Sequence, residues 1–174
     1  MWLVPIPFTL VITNNRDHKV AIGETQLPIA PHPGAFAVHR KHHTHEGVDL
    51  YCPEGTEVCA VEDGTVVAVI PFTGMLATPP SPWWRDTTAV LVEGATGVVV
   101  YGEISSLVEV GEHVSRGQPL GHVKRVLLRD KGYPTTMLHL ELHQHGTRNA
   151  FDWIDVKPLS LLDPTPYLLQ AQSF

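Results

Sequence analysis

The stretch from Ala89 to Ile104, AVLVEGATGVVVYGEI, decides the fold class of this chain. Ala89–Glu93 and Val98–Ile104 are short runs rich in valine, and Gly94-Ala95-Thr96-Gly97 joins them as a hairpin turn does. Similar runs recur on both sides of it, and 15 prolines and 14 glycines separate them. Short apolar runs separated by many prolines and glycines are typical of a sheet protein with many turns, so we predict an all-β fold.

Further strands are predicted around this hairpin. A proline-rich segment, Thr73–Thr87, carries Trp83 and Trp84 and is predicted to be a long loop. The two tryptophans either wall a ligand groove or cap the edge of the sheet. The C-terminal stretch Ala150–Phe174 is expected to be irregular, with one short helical turn. The predicted strands outside the hairpin are Trp2–Thr13, Gly47–Tyr51, Glu57–Ala60, Gly64–Ile70, Gln118–Val123 and Met137–His143.

The size and charge of the chain limit its function classes. Its 174 residues fit one domain with short extensions. A net charge of -6 and the lack of a Lys/Arg run argue against a general nucleic-acid binder. The N-terminus MWLVPIPFTLVITNN has no basic n-region, so we interpret it as a strand rather than a signal peptide or membrane anchor. Residence in the cytoplasm, or release by a phage or another route, would fit.

Histidines indicate a metal site. Seven of the eleven lie in two short stretches, 39–45 and 139–145. In the first, Gly47 disfavours a helix, and a bent extended segment still lets His45 and Asp49 converge on one ion. The third donor is His139, on the alternating strand Met137–His143. Three protein ligands and a water are typical of a catalytic zinc site, so we predict one zinc ion bound by these three residues.

Five motifs follow one another in a fixed order. They are His45-Glu46-Gly47-Val48-Asp49, Pro53-Glu54-Gly55-Thr56-Glu57-Val58, Asp63-Gly64-Thr65-Val66, Val110–Gly121 and Met137–Leu142. In these motifs the chain resembles the lysostaphin-type (LytM) zinc metallopeptidases over residues 34–168. The resemblance implies an antiparallel sheet in a half-open barrel or sandwich, the duplicated hybrid motif fold, with a peptide or peptidoglycan-like ligand. It also implies an N-terminal strand and extension over 1–33 and a tail over 169–174.

The chain departs from the family pattern at the two positions that handle protons. The first histidine of the family's His-x-His motif is Met137 here, and the histidine of its Tyr-Ala-His-Leu segment is Glu103. Loss of a general base typically costs about 10²–10⁴-fold in rate. The sequence therefore predicts a zinc-binding domain that is weak or inactive as a peptidoglycan endopeptidase.

Two alternatives remain. Glu103 is the candidate base of an active zinc metallohydrolase that cleaves a cell-wall peptide or another amide, since a glutamate beside zinc acts as base in other zinc peptidases. His43 would then wall the groove together with Trp83 and Trp84, and supply a donor. In the other alternative, Val110–Gly121 belongs to a carrier module, because it also resembles the half-barrel of biotinyl and lipoyl domains. That module needs a lysine at an exposed hairpin tip, and no matching turn carries one.

Overall fold

The computed structural model describes residues 1–17, 19–132 and 135–173. Within these residues the chain is almost entirely β, which confirms the predicted fold class. The elements are β1 Thr9–Thr13, β2 Glu24–Pro28, β3 Val48–Tyr51, β4 Glu57–Cys59, β5 Gly64–Thr73, β6 Thr87–Gly94, β7 Val98–Ser106, β8 His113–Val114, β9 Pro119–Val123, β10 Met137–His143, β11 Leu161–Leu162 and α1 Thr165–Leu169.

Nine of these strands form one antiparallel sheet that does not close into a barrel. Its main order is β11-β10-β7-β6-β5-β8, while β3 pairs with β10 and β9 joins β4 to β7. The β6–β7 hairpin turns through Gly94 and Gly97, where the Gly94 amide donates to the Gly97 carbonyl. The predicted hairpin is therefore confirmed, and β10 spans the predicted residues 137–143.

The predicted strand Trp2–Thr13, which its prolines were expected to break, is confirmed only in its last part. Only Thr9–Thr13 is a strand, and it pairs in parallel with β2 in a separate two-stranded sheet. Pro5 and Pro7 lack the amide hydrogen that a sheet ladder needs, so the preceding segment is irregular. Its apolar side chains are nevertheless buried, with Trp2 and Ile6 in the main core. The N-terminal segment and the sheet therefore share one core.

Alternation along β10 separates the core from a polar face. Leu138, Leu140 and Leu142 are fully buried in the main hydrophobic cluster. In a strand, successive side chains point to opposite faces, so residues 137, 139, 141 and 143 lie on the other face of the sheet. That face carries the charged and imidazole groups of the candidate site.

The two ends of the described chain pack together. Trp2 stacks on Tyr167 of α1 with ring centroids 4.9 Å apart, and Leu3 bridges Gln172. The short helix over 165–169 confirms the predicted helical turn. Phe174, the last residue of the predicted tail, lies outside the described residues. Among those described, no helix is long and apolar enough to cross a membrane.

Candidate metal centre

Three buried side chains converge where β3 lies against β10. Asp49 and His139 are direct cross-strand partners, and His45 precedes β3 by three residues. The Nε2 atom of His45 lies 3.1 Å from Asp49 Oδ1 and 3.2 Å from His139 Nδ1, and the last two atoms are 2.9 Å apart. The three residues predicted from the sequence therefore come together and form a cluster that could hold a metal ion.

The second nitrogen of each imidazole is already engaged. His45 Nδ1 lies 2.9 Å from the Ala35 carbonyl oxygen, which accepts only, so this nitrogen carries the hydrogen. His139 Nε2 lies 2.9 Å from Glu141 Oε1 and donates to it in the same way. Each neutral ring then presents a lone pair to Asp49 Oδ1. Three acceptors this close repel one another unless they share a cation, which is either a proton or a metal ion.

The donor set fits zinc. Zinc takes imidazole nitrogen and carboxylate oxygen at about 2.0–2.2 Å in tetrahedral geometry, which puts neighbouring ligand atoms about 3.3 Å apart. The three spacings of 2.9–3.2 Å are close to that edge length. Small outward shifts of the side chains would complete the fit, with a fourth position left for water or substrate.

Electrostatics match a site built for positive charge. Burial opposes ionisation of Asp49, but the charges and hydrogen bonds of its histidine neighbours and of Arg40 hold its pKa well below the ordinary value. Burial likewise disfavours charge on His139, yet hydrogen bonds to Asp49 and Glu141 raise its pKa well above the ordinary value. In the metal-free protein, these shifts favour a proton on His139 as the shared cation. Against the effect of its burial, hydrogen bonds from His139 and His143 lower the pKa of Glu141 to about 2.

Partners that sequence reasoning missed surround the ligands. Arg40 donates from its Nη2 atom to Asp49 Oδ2 at 2.6 Å and also to the Pro33 carbonyl oxygen. Glu141 Oε2 lies 2.7 Å from His143 Nε2, and His143 Nδ1 lies 2.9 Å from Ser160 Oγ. Arg40 and Ser160 are distant in sequence from the strand residues near them, so the sequence pattern gives no sign of their contacts. The alternation along β10, in contrast, does place Glu141 and His143 on the face of His139.

Glu103 sits on a distorted part of β7. The register of β6 with β7 shifts between Thr88 and Val90, so Gly102 and Glu103 together form a β-bulge. Glu103 has φ +64°, a left-handed conformation that is rare for a residue with a side chain. Bulges of this kind re-aim side chains and are common beside active sites. Burial and the charge of Asp49 raise the pKa of Glu103 to about 8.

Phe72 packs near the candidate ligand His139. Its ring centroid lies 5.6 Å from that of His139, and a Cβ on Gly102 would come within 2.5 Å of the Phe72 ring. The loop over 74–86 begins two residues after Phe72. Trp83 and Trp84 lie on this loop, 63% and 39% exposed, with ring centroids 6.1 Å apart.

The two remaining predicted positions lie near the ligands in sequence. Met137 is half-buried at the start of β10, two residues before His139 and on the same face. His43 is half-buried, and its Nε2 atom lies 3.7 Å from Glu46 Oε2. Desolvation lowers the pKa of His43 despite the charge of Glu46. The other oxygen of Glu46 accepts from the Trp153 amide, so its carboxylate is turned toward Trp153 and His43.

Residues 43–151 match the family model described as Peptidase family M23. No curated protein sequence matches the chain. Ala35 and Arg40, which contact His45 and Asp49, precede the matched residues, and Ser160, which contacts His143, follows them.

Several solved structures are similar to this chain, and one of them, CbpA, shares its fold. CbpA from L. salivarius REN is 20% identical over 79% of this chain and 84% of its own, with a TM-score of 0.53. The catalytic domain of the antimicrobial peptidase lysostaphin from Staphylococcus simulans is 22% identical over 78% of this chain and 87% of its own, with a TM-score of 0.48. A zinc containing peptidase from Vibrio cholerae is 24% identical over 56% of this chain (TM-score 0.42), and the alignment covers only 26% of that longer protein.

Proposed function

The chain belongs to peptidase family M23, and from that premise we propose that residues 34–168 form a domain that binds one zinc ion through His45, Asp49 and His139. The observation that carries the proposal is the set of three acceptor atoms within 3.2 Å of one another, with the second nitrogen of each imidazole already engaged. Two nitrogens and one oxygen suit zinc better than calcium or magnesium, which prefer oxygen ligands.

We further propose that the ligand is a peptide of the cell-wall type. It would lie in a groove walled by His43, Trp83 and Trp84. A bound zinc ion would polarise an amide carbonyl and lower the pKa of water. The thioether of Met137 offers no hydrogen for a developing oxyanion, and loss of one such donor costs roughly 10²–10³-fold in rate. Peptide hydrolysis by this domain is therefore proposed to be weak or absent.

A second candidate function, an active metallohydrolase, is favoured by the bulge at Glu103. A non-glycine residue with positive φ costs about 1–3 kcal/mol, and such strain concentrates at functional sites. The bulge places Glu103 within the electrostatic reach of Asp49 and His139. Its carboxylate, once ionised, would take the proton from a water molecule as a general base.

Metal analysis tests the first proposal. Protein purified without added zinc should carry about one equivalent of tightly held zinc, and His139→Ala should lose it. His113→Ala is the matched control, because His113 is exposed on β8. Wild-type protein without metal, or His139→Ala protein with unchanged metal, would overturn the site.

A hydrolysis assay then separates the two functions. Zinc-loaded wild-type protein and Glu103→Gln are incubated with peptidoglycan and with glycine-rich peptides. Turnover in the wild type that falls about 10²-fold or more in the variant establishes Glu103 as the base. If both proteins bind zinc and neither shows turnover, the proposal of a zinc-binding domain stands and the proposal of an active metallohydrolase is overturned.

A further inference from the structure

A chain of hydrogen bonds runs from the candidate metal site along one face of β10 to the end of this strand. It passes from His139 Nε2 to Glu141 (2.9 Å), from Glu141 to His143 Nε2 (2.7 Å), and from His143 Nδ1 to Ser160 Oγ (2.9 Å). His143 is fully buried, and Glu141 is 3% exposed. Every polar atom of these two side chains is therefore committed within the chain of bonds.

We propose that His143 is a positioning residue for the metal. With Ser160 it fixes both oxygens of Glu141, and Glu141 in turn holds the His139 ring so that Nδ1 faces His45 and Asp49. This inference rests on the zinc site proposed above. A histidine ligand held by a carboxylate through its other nitrogen keeps one tautomer and one ring orientation, and loss of such a partner typically weakens metal binding about 10–100-fold.

The direction of each hydrogen bond follows from the chemistry. Glu141 accepts from His139 Nε2–H and from His143 Nε2–H, since an ionised carboxylate only accepts. In its neutral form, His143 then has a lone pair on Nδ1, which accepts from the Ser160 hydroxyl. The Ser160 carbonyl oxygen accepts from the Gln144 amide at 2.8 Å, which ties the loop containing Ser160 to the end of β10.

Stability alone does not account for this arrangement. Burial of a carboxylate and an imidazole carries a desolvation cost, and well-packed apolar residues in place of a buried ion pair are often neutral or stabilising. The neighbouring positions 138, 140 and 142 are all leucine, so the strand itself tolerates apolar side chains on its other face. The polar line on one face ends at a metal ligand, which is where an orienting function would be needed.

The test compares zinc affinity in three variants of the full chain. His143→Leu removes the donor to Glu141, His143→Gln retains an N–H donor, and Ser160→Ala removes the last bond only. Tyr101→Phe is the control, because the buried Tyr101 hydroxyl accepts from the Val61 amide in the main core and is part of no metal ligand. Zinc dissociation constants are measured by competition with a chromophoric chelator, with folding checked by circular dichroism.

The expected result is a 10–100-fold weaker zinc affinity for His143→Leu, near-wild-type affinity for His143→Gln and Tyr101→Phe, and a smaller loss of about 3-fold or more for Ser160→Ala. NMR of the ring nitrogens should show one His139 tautomer in the zinc-bound wild type and a mixture in the weakened variants. If His143→Leu does not fold, the zinc affinity of Ser160→Ala and the His139 tautomer seen by NMR in that variant test the positioning function.

Two failures are distinguishable. The first failure overturns the positioning function alone. In it, the wild type binds zinc tightly, and the His143→Leu and Ser160→Ala variants have zinc dissociation constants within 2-fold of the wild-type value. A wild type that binds no zinc would overturn the proposed function and this inference with it.

Discussion

Gly47 lies against the backbone of Leu140, so close that a Cβ atom on Gly47 would come within 2.4 Å of the Leu140 carbonyl oxygen and 3.0 Å of its carbonyl carbon. Gly47 stands midway between His45 and Asp49, and Leu140 follows His139. The absence of a side chain therefore lets the two ligand-bearing segments approach each other. Gly47 is therefore a packing requirement of the candidate metal site.

Gly47→Ala is expected to separate β3 from β10 and to weaken zinc binding by at least about 10-fold. Overpacking of this kind costs about 1–3 kcal/mol in the free energy of unfolding. The backbone of Leu140 would have to move, and His139 would move with it. Urea denaturation and zinc competition measure the two effects.

Gly55→Ala provides the matched control. Gly55 has φ +87° and open space around its Cβ position, so an alanine there strains the backbone by about 1–2 kcal/mol without a steric clash. This variant should lose stability and keep its zinc affinity. Equal loss of zinc in both variants would show that general destabilisation, and not the approach of Gly47 to Leu140, governs the site.

Zinc affinity is expected to fall as pH falls, by about 10-fold per pH unit for each proton displaced. Hydrogen bonds to Asp49 and Glu141 raise the pKa of His139 above its ordinary value of 6.5 despite its burial. A proton on His139 competes with zinc, and the raised pKa extends this competition to higher pH than for an ordinary histidine. Above the pKa of His139 this competition ends and the affinity levels off.

Calorimetry in two buffers with different ionisation enthalpies measures the proton count. Zinc binding should release protons at pH 7, and more of them per zinc at pH 6 than at pH 8, because the pKa of His139 is raised. His113→Ala should release the same number, since His113 is exposed and lies on β8. Binding at pH 7 without proton release would contradict the raised pKa of His139.

Glu103→Gln is expected to stabilise the metal-free protein at high pH. Burial and the charge of Asp49 raise the pKa of Glu103 to about 8 from an ordinary value of 4.5. The folded state thus binds the proton more tightly than the unfolded state does. The resulting stability is fully present below about pH 4.5 and is lost as pH rises through about 8.

The Glu103→Gln variant has no such proton to lose. At pH 9 its free energy of unfolding should therefore exceed that of the wild type by about 1–3 kcal/mol, with a smaller difference at pH 5.5. Urea unfolding in the presence of a chelator measures this difference. Glu109→Gln, which removes the same charge from an exposed position, is the matched control. A wild type as stable as Glu103→Gln at pH 9 would contradict the raised pKa of Glu103.

The sequence was sufficient for the parts of the fold that depend on local pattern. Alternation over Met137–His143 sets which side chains share a face, and the glycines of Gly94–Gly97 set the hairpin. The pairing of β1 with β2 was missed because parallel strands have no connecting turn to reveal them. Glu24–Pro28 also ends in a proline, which weakened its strand pattern.

The same division holds for the site. The three ligands were predicted from their residue types and spacing, and the structure brings them together. The partners Arg40 and Ser160 were not predicted, because each meets its target only after the chain has folded. His143 lies four residues beyond His139 along β10, and in the structure Glu141 bridges the two imidazoles.

Arg40 and Asp49 are expected to be energetically coupled. Arg40 donates to Asp49 Oδ2 at 2.6 Å, and the Arg40 side chain is 31% exposed while that of Asp49 is 3% exposed. Arg40→Met leaves a buried carboxylate without its cation, so the pKa of Asp49 should rise. We expect a loss of about 1–2 kcal/mol in the free energy of unfolding of the metal-free protein, discounted for the partial exposure of Arg40.

A double-mutant cycle with Asp49→Asn isolates this pair. In the Asp49→Asn background, Arg40→Met should cost less than half as much, because the carboxylate that it would leave unpaired is gone. Arg40→Lys should retain little of the coupling energy with Asp49. An ammonium group does not reproduce the planar guanidinium, which contacts both Asp49 and the Pro33 carbonyl oxygen. Lys41→Met is the exposed control. A coupling energy below about 0.3 kcal/mol, within the additivity error of independent sites, would mean that Arg40 contributes nothing to holding Asp49 in place.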